Sequence, residues 1–333
     1  MNDLPPNTSE NEQSKDSNLL GNSKNNDWKI DLNNFVQTSN GRVIPLEIIK
    51  SENDTENKKW DDLLNTCRII PESDLHPPNY ILHIQDVPVM SLGDFSLTIG
   101  KAKSRKTFGM TLVMAALMAK VPMEYLRAIH YKSKPRLVWF DTEQSGYYVQ
   151  RALRGALKLA GVKDYPELEV YSLRPYSPHE RQEIINRVLN TNNPNCDILF
   201  AIIDGIRDVV TSINDEEQAT ECATWLLKLI TNKGMHIATV LHQNKNDLNA
   251  RGHLGSELSN KAQTVISVEK DKNNESVSMA KPEYMRDQEF KSFAFTINGD
   301  GLPEIIPDHE IGTPGEERRK ISPLISIWRF MQK

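Results

Sequence analysis

Residues 95–107 read Phe-Ser-Leu-Thr-Ile-Gly-Lys-Ala-Lys-Ser-Arg-Lys-Thr. The apolar run 95–99 predicts a short strand leading straight into a basic loop. The stretch 106–120, dense in Ala, Leu and Met, predicts the helix that follows. Strand, glycine-started loop and helix are the setting of a phosphate-binding loop, G-x-x-x-x-G-K-[ST]. Such a loop turns backbone N–H groups inward, places a lysine on the β and γ phosphates and offers a hydroxyl for a magnesium ion. Gly100, Lys101, Ala102, Lys103, Ser104, Arg105, Lys106 and Thr107 are the candidate nucleotide-binding residues, with Lys106 and Thr107 supplying the two side chains. The helix beginning there adds its amino-terminal dipole. Arg105 stands where the motif has its second glycine. A glycine there serves either a left-handed backbone or close approach to phosphate. A left-handed arginine costs about 1–2 kcal/mol. Read by itself, the loop is also compatible with a basic surface turn before an ordinary helix.

Working outward, apolar runs alternate with helical patterns. Strands are predicted at 137–140, 168–172, 198–203 and 237–241, and helices at 146–159, from Ser177 or Pro178 through Val188, and at 216–231. Near-continuous apolar strands between helices predict an α/β fold, a mainly parallel twisted sheet covered on both faces. After residue 260 the pattern changes to short strands at 262–268, 276–280 and 292–297 separated by polar turns, which predicts antiparallel edge strands.

Two of the buried strands end on acid. The run 198–203 is followed by Asp204, a candidate magnesium-associated carboxylate. Phe140 is followed by Asp141, Thr142 and Glu143, which places Glu143 to orient or deprotonate an attacking water, with Asp141 in support. Many strands end in Asp or Glu merely to reach solvent, so these carboxylates gain meaning from the loop beside them. The strand ending at Leu241 is followed by His242, Gln243, Asn244 and Lys245. Gln243 is the candidate γ-phosphate sensor. His242 has no nucleophile to pair with and is assigned a structural or secondary phosphate role. Residues 244–258 form a polar loop with Lys245, Arg251, Gly252, His253 and Gly255, suited either to line a channel over a phosphate backbone or simply to face solvent.

The chain has 333 residues and a formal net charge of -5, so no global positive field draws it onto nucleic acid, although a local basic lining remains compatible with DNA. Residues 1–30 are a polar tail, too poor in apolar side chains to order themselves. Residues 31–78 are a lead-in region; short elements are expected across 41–92. The main domain spans 79–305, and 306–333 form a C-terminal tail with a helix that can dock on this domain or on a neighbour. Cys67, Cys196 and Cys222 are far apart and form no metal or disulfide framework, which is the pattern of a cytoplasmic protein with free thiols. No apolar run is long enough to span a membrane.

The pieces 100–107, Phe140-Asp141-Thr142-Glu143, Ile202-Ile203-Asp204-Gly205, His242-Gln243-Asn244-Lys245 and Arg251-Gly252-His253-Leu254-Gly255-Ser256, in that order, resemble the RecA-like P-loop ATPase superfamily. Within it they resemble the RepA-type plasmid replicative helicases and related mobile-element ATPases, over about residues 80–300. The resemblance implies ATP and Mg²⁺ as ligands, with Lys106 on phosphate and Thr107 and Asp204 at the metal. It implies Glu143 as catalytic base and Gln243 as sensor. It also implies a homo-oligomer, commonly a hexameric ring, with DNA facing 244–258 and replication or mobilisation proteins as partners. Family members place a lysine and an arginine so as to reach the neighbouring subunit's site; Lys281 and Arg286 are the candidates, at a looser spacing than the usual lysine-x-arginine. Three functions follow. The first is an ATPase acting on the DNA of a plasmid, transposon or phage. The second is a non-hydrolysing assembly or regulatory protein on the same fold, for which Arg105 argues. The third, a small-molecule kinase, suits the loop after Gln243 less well.

Overall fold

The computed structural model describes residues 35–37, 43–123, 125–129, 134–191, 197–244 and 250–307, the stretch 35–54 by backbone alone. The polar tail at 1–30 and the helix expected in the C-terminal tail lie outside the described residues, as do Cys196 and Lys245. The chain divides into two compact units, Met1–Leu75 and His76–Lys333. In the first, β1 (Phe35–Gln37) pairs antiparallel with β2 (Val43–Pro45), and α1 (Leu46–Cys67) follows. Only short elements are expected here from the sequence, yet α1 runs for 22 residues. Ser51 to Lys59 contains no apolar side chain, so hydrophobic periodicity is silent across its middle.

The second unit is an α/β domain on a nine-stranded mixed sheet. Its strands are β5 (Phe95–Gly100), β7 (Arg136–Asp141), β8 (Leu168–Ser172), β9 (Ile198–Asp204), β10 (His236–His242), β11 (Thr264–Lys270), β12 (Val277–Met285), β13 (Phe293–Ile297) and β14 (Pro303–Ile306). The spatial order is β14-β13-β12-β11-β5-β10-β9-β7-β8. Every neighbouring pair from β11 to β8 is parallel, and β11, β12, β13 and β14 pair antiparallel in turn. The sequence expectation of a mostly parallel sheet with antiparallel edge strands therefore holds. A separate three-stranded sheet is built from β3 (Tyr80–Ile84), β4 (Val87–Ser91) and β6 (Leu126–Ala128).

Side-chain alternation along the central strands feeds two cores. Trp139 of β7, Ile202 of β9 and Val240 of β10 pack on one face with α2 (Lys106–Met118) and α3 (Gly146–Leu159). Their neighbours Phe140, Ile203 and Leu241 pack on the other face with α4 (Pro178–Asn190), α5 (Glu216–Lys233) and α6 (Gly252–Lys261). Helix α4 starts where its sequence dictates. Ser177 and Glu180 form a reciprocal capping box, and Pro178 occupies the first turn, where a missing N–H costs nothing.

Helix α6 corrects the expectation of a polar loop over 244–258. Residues 245–249 are outside the described set, but Gly252 onward is helical. Leu254 and Leu258, one turn apart, are fully buried and anchor it, and Gly252 opens it at φ 74°. A Cβ at Gly252 would meet the Ile213 carbonyl oxygen at 2.7 Å, so the close approach of this helix start to Ile213 requires glycine. The two leucines were too few in a polar stretch to announce a helix.

Candidate active site

Parallel strands in register bring their carboxyl ends to one level. Gly100 of β5 pairs with His242 of β10, Val240 of β10 with Asp204 of β9, and Asp204 with Asp141 of β7. Loop 100–107 therefore opens beside both acidic strand ends. A cavity of about 430 Å³ lies there, lined among others by Lys103, Arg105, Lys106, Thr107, Glu143, Asp204, Arg207 and His242.

The loop holds its shape despite the missing glycine. Lys103 and Arg105 have φ values of 63° and 75°, both left-handed. Arg105 thus adopts the backbone that glycine normally supplies, at a cost of about 1–2 kcal/mol. Its guanidinium Nη1 donates to the Ser276 carbonyl oxygen at 2.5 Å, which fastens the loop to the turn before β12. Gly100 is required by packing: a Cβ there would meet the Val268 carbonyl oxygen of β11 at 2.3 Å.

Lys106 is buried. Its ammonium donates to the carbonyl oxygens of Gly100 (2.9 Å) and Lys101 (3.0 Å) and lies 3.1 Å from His242 Nδ1. Burial pulls its pKa down, while Asp204 and Glu143 oppose that shift. The Thr107 hydroxyl donates to Asp204 Oδ2 at 2.8 Å. Burial, with the nearby Asp141 carboxylate adding to it, pushes Asp204 up to about 7. Asp141 accepts the backbone N–H groups of Glu143 (3.0 Å) and Gln144 (2.7 Å) and the Gln144 side-chain amide (2.8 Å). Those bonds fix the turn that presents Glu143, although burial still raises the Asp141 carboxyl.

Glu143 Oε1 lies 3.2 Å from His242 Nε2. That hydrogen bond, aided by the charges of Lys106 and Arg207, holds the Glu143 carboxyl below its usual range. One tautomer satisfies both His242 contacts: Nδ1 accepts from Lys106 and Nε2–H donates to Glu143. His242 thus links the loop lysine to the glutamate.

Gly205, directly after Asp204, has φ 102°, and a Cβ there would lie 2.1 Å from the Thr142 hydroxyl. That hydroxyl sits 3.0 Å from the Gly205 carbonyl oxygen and 2.9 Å from Asp208 Oδ2. The turns after β7 and β9 are therefore locked together.

Of the residues predicted from sequence, Lys106, Thr107, Glu143 and Asp204 meet at the cavity. Gln243 does not line it; it is buried, and its N–H donates to the Gly100 carbonyl oxygen at 3.1 Å. Strand alternation gives the cavity to His242 instead. Lys281 bonds Glu269 across the sheet at 2.8 Å. Arg286 bonds Asp94 (3.3 Å) and the Lys261 carbonyl oxygen (3.1 Å), at the amino end of β5, opposite the loop. It borders a wider cleft of about 810 Å³, lined by amides and hydroxyls such as Asn260, Ser256 and Gln263 together with His253 and Glu283. Sequence reasoning did not single out Thr142, Gln144 or Arg207, because ordinary polar residues beside an acidic strand end carry no spacing signal. No protein-family model and no curated protein matches this chain. No helix among the described residues is long and apolar enough to cross a membrane.

Proposed function

We propose that this protein is a RecA-like, Mg²⁺-dependent ATPase. The observation that carries the reading is the convergence of Lys106, Thr107, Asp204 and Glu143 on one cavity at the carboxyl end of a parallel sheet, where ligands of α/β folds gather. The strand order supports it as well: β10 lies between the loop-bearing β5 and the Asp204-bearing β9, so the loop and the carboxylate flank the end of β10. In this reading Lys106 turns from its loop carbonyls to the β and γ phosphates, and the loop amides hold the same groups. Thr107 and Asp204 fit Mg²⁺, which takes hard oxygen donors and is usually held by one or two protein groups with waters and substrate phosphates. When bound, Mg²⁺ supplies charge neutralisation at the β and γ oxygens. Glu143, kept ionised beside His242, accepts a proton from the attacking water. The new bond joins that water oxygen to the γ phosphorus, and the bridging P–O bond breaks with its electron pair left on ADP. The same reading makes the chain a cytoplasmic homo-oligomer of RepA type, commonly a hexameric ring. It acts on plasmid, transposon or phage DNA through residues 244–258, with replication or mobilisation proteins as partners, and Arg286 serves only a neighbouring subunit's site.

A second reading, a nucleotide-binding regulator that does not turn over, is favoured by one observation: Lys106 is already engaged by two loop carbonyls and His242. Calorimetry with ATP, with and without Mg²⁺, tests the shared premise. Lys106→Ala should weaken ATP binding by about 100-fold, near 3 kcal/mol. Equal affinity in wild type and variant refutes the site. Phosphate release, with and without single-stranded DNA, then separates the two readings.

A further inference from the structure

Arg207 is a cation at this cavity that the scheme above leaves without a task. It follows Asp204 by three residues, in the 3-10 turn Ile206–Val209. That turn is anchored by buried Ile206 and Val209 and braced on several sides. Gly205 enters it in a left-handed conformation with no room for a side chain. Arg181 of α4 donates to the Asp208 carbonyl oxygen at 2.8 Å, and Gln182 of α4 donates to the Val209 carbonyl oxygen at 3.0 Å. Thr142 ties Asp208 to the turn that presents Glu143. The backbone that carries Arg207 is thus fixed relative to both acidic strand ends.

The other cations at the cavity differ from it. Arg105 is committed to the Ser276 carbonyl oxygen, and Lys103 and Lys106 belong to the loop itself. Among the described residues the Arg207 guanidinium bonds its chain neighbour, with Nη1 at 3.2 Å from Asp208 Oδ1, its charge reaches Glu143, and its side chain is 46% exposed. A guanidinium on a rigid base, half in solvent, can change partners at low cost and offers a planar fork of donors to phosphoryl oxygens. Arg286, by contrast, lies at the far end of β5.

Resting on the ATPase reading, we propose that Arg207 contacts the γ-phosphoryl group in the same chain, so that each site carries its own arginine. Its N–H groups hold the equatorial oxygens while the water oxygen bonds to phosphorus and the bridging oxygen leaves on ADP. This places a stabilising charge where it develops in the transition state.

The test compares wild type with Arg207→Ala, Arg207→Gln and Arg286→Ala. Magnesium-ADP, magnesium-ATP and magnesium-ADP with aluminium fluoride are the probes. ADP affinity should stay within about threefold in every variant, because the α and β phosphates are held by the loop. Both Arg207 variants should lose at least about 30-fold in preference for the aluminium fluoride complex over ADP, and turnover should fall about 100-fold or more. Millimolar guanidinium should restore part of the turnover of Arg207→Ala, which a purely structural role would not allow. Mixing Arg207→Ala with Glu143→Gln chains should restore nothing, since every site would lack one group. An unchanged ligand preference in both Arg207 variants, or recovery of turnover on mixing, overturns the proposal. If the wild type binds none of the three probes, the ATPase reading itself has failed.

Discussion

Strand β10 begins and ends on a histidine, and the two ends of the sheet differ as these two residues do. His236, at the amino end, is fully buried. Its Nδ1–H donates to the Ser91 carbonyl oxygen at 2.8 Å, its Nε2 accepts from the Ser96 hydroxyl at 3.0 Å, and its ring stacks on Phe200. It is neutral and satisfied, and burial pulls its pKa down to about 4. His242, at the carboxyl end, is partly exposed and spans an ammonium and a carboxylate. Around it lie a lysine pulled down, an aspartate pushed up and two left-handed non-glycine residues. Backbone strain and interacting charges gather at the carboxyl end, whereas the amino end of the same strand uses a neutral histidine as packing.

The largest effect that would sharpen this contrast is expected at Asp204. Asp204→Asn keeps an acceptor for Thr107 but removes the charge. Turnover should fall about 100- to 1,000-fold, near 3–4 kcal/mol, while metal-free nucleotide affinity stays within a few-fold. Phosphate-release assays beside calorimetry measure both. Retained turnover would leave β9 as packing alone.

At the other end, His236→Ala should cost about 2–4 kcal/mol of stability, since it opens a cavity and strips partners from Ser91 and Ser96. Nucleotide affinity should not move. His236 also predicts a pH dependence. The unfolded chain binds its proton near 6.5 and the folded chain near 4. Its stabilising contribution is therefore fully present above 6.5 and is lost as pH falls through that window, with a slope of at most about 1.4 kcal/mol per unit. Urea unfolding at pH 7.5 and pH 5 should show a shallower loss in His236→Gln than in wild type.

A smaller effect is expected at His242. His242→Gln should lower turnover about 10-fold with stability unchanged within about 1 kcal/mol, because a half-exposed residue is being exchanged. A large stability loss would erase the contrast between the two histidines. Smallest of all is Arg105→Gly. It relieves a left-handed cost of about 1–2 kcal/mol and gives up one hydrogen bond of about 1 kcal/mol, so stability should barely change. Turnover should rise a few-fold if the side chain restrains the loop, which steady-state phosphate release can read.

Much of the central domain was legible in the sequence. The helix at 146–159 and the strand at 168–172 coincide with α3 and β8, because buried amphipathic or apolar runs bounded by polar turns announce themselves. The long polar helix α1 and the short helix α6 were not, since neither carries a sustained apolar stripe. At the site, Lys106, Thr107, Glu143 and Asp204 could be named from their places after apolar strands. The exchange of Gln243 for His242 could not, because adjacent residues at a strand end point to opposite faces and only the register with β5 says which face holds the cavity.

Sequence alone determined that apolar strands alternate with helices, that a basic loop opens a helix after the first of the large sheet's strands, and that acids close two others. Those are local patterns of hydrophobicity and chain order. Tertiary structure decided what no local pattern encodes: that β10 lies between β5 and β9, that Arg105 takes a left-handed turn fastened to Ser276, and that Arg207 shares a cavity with Lys106 while Arg286 does not. Each depends on contacts between residues far apart in the chain, and such contacts exist only once the sheet has assembled.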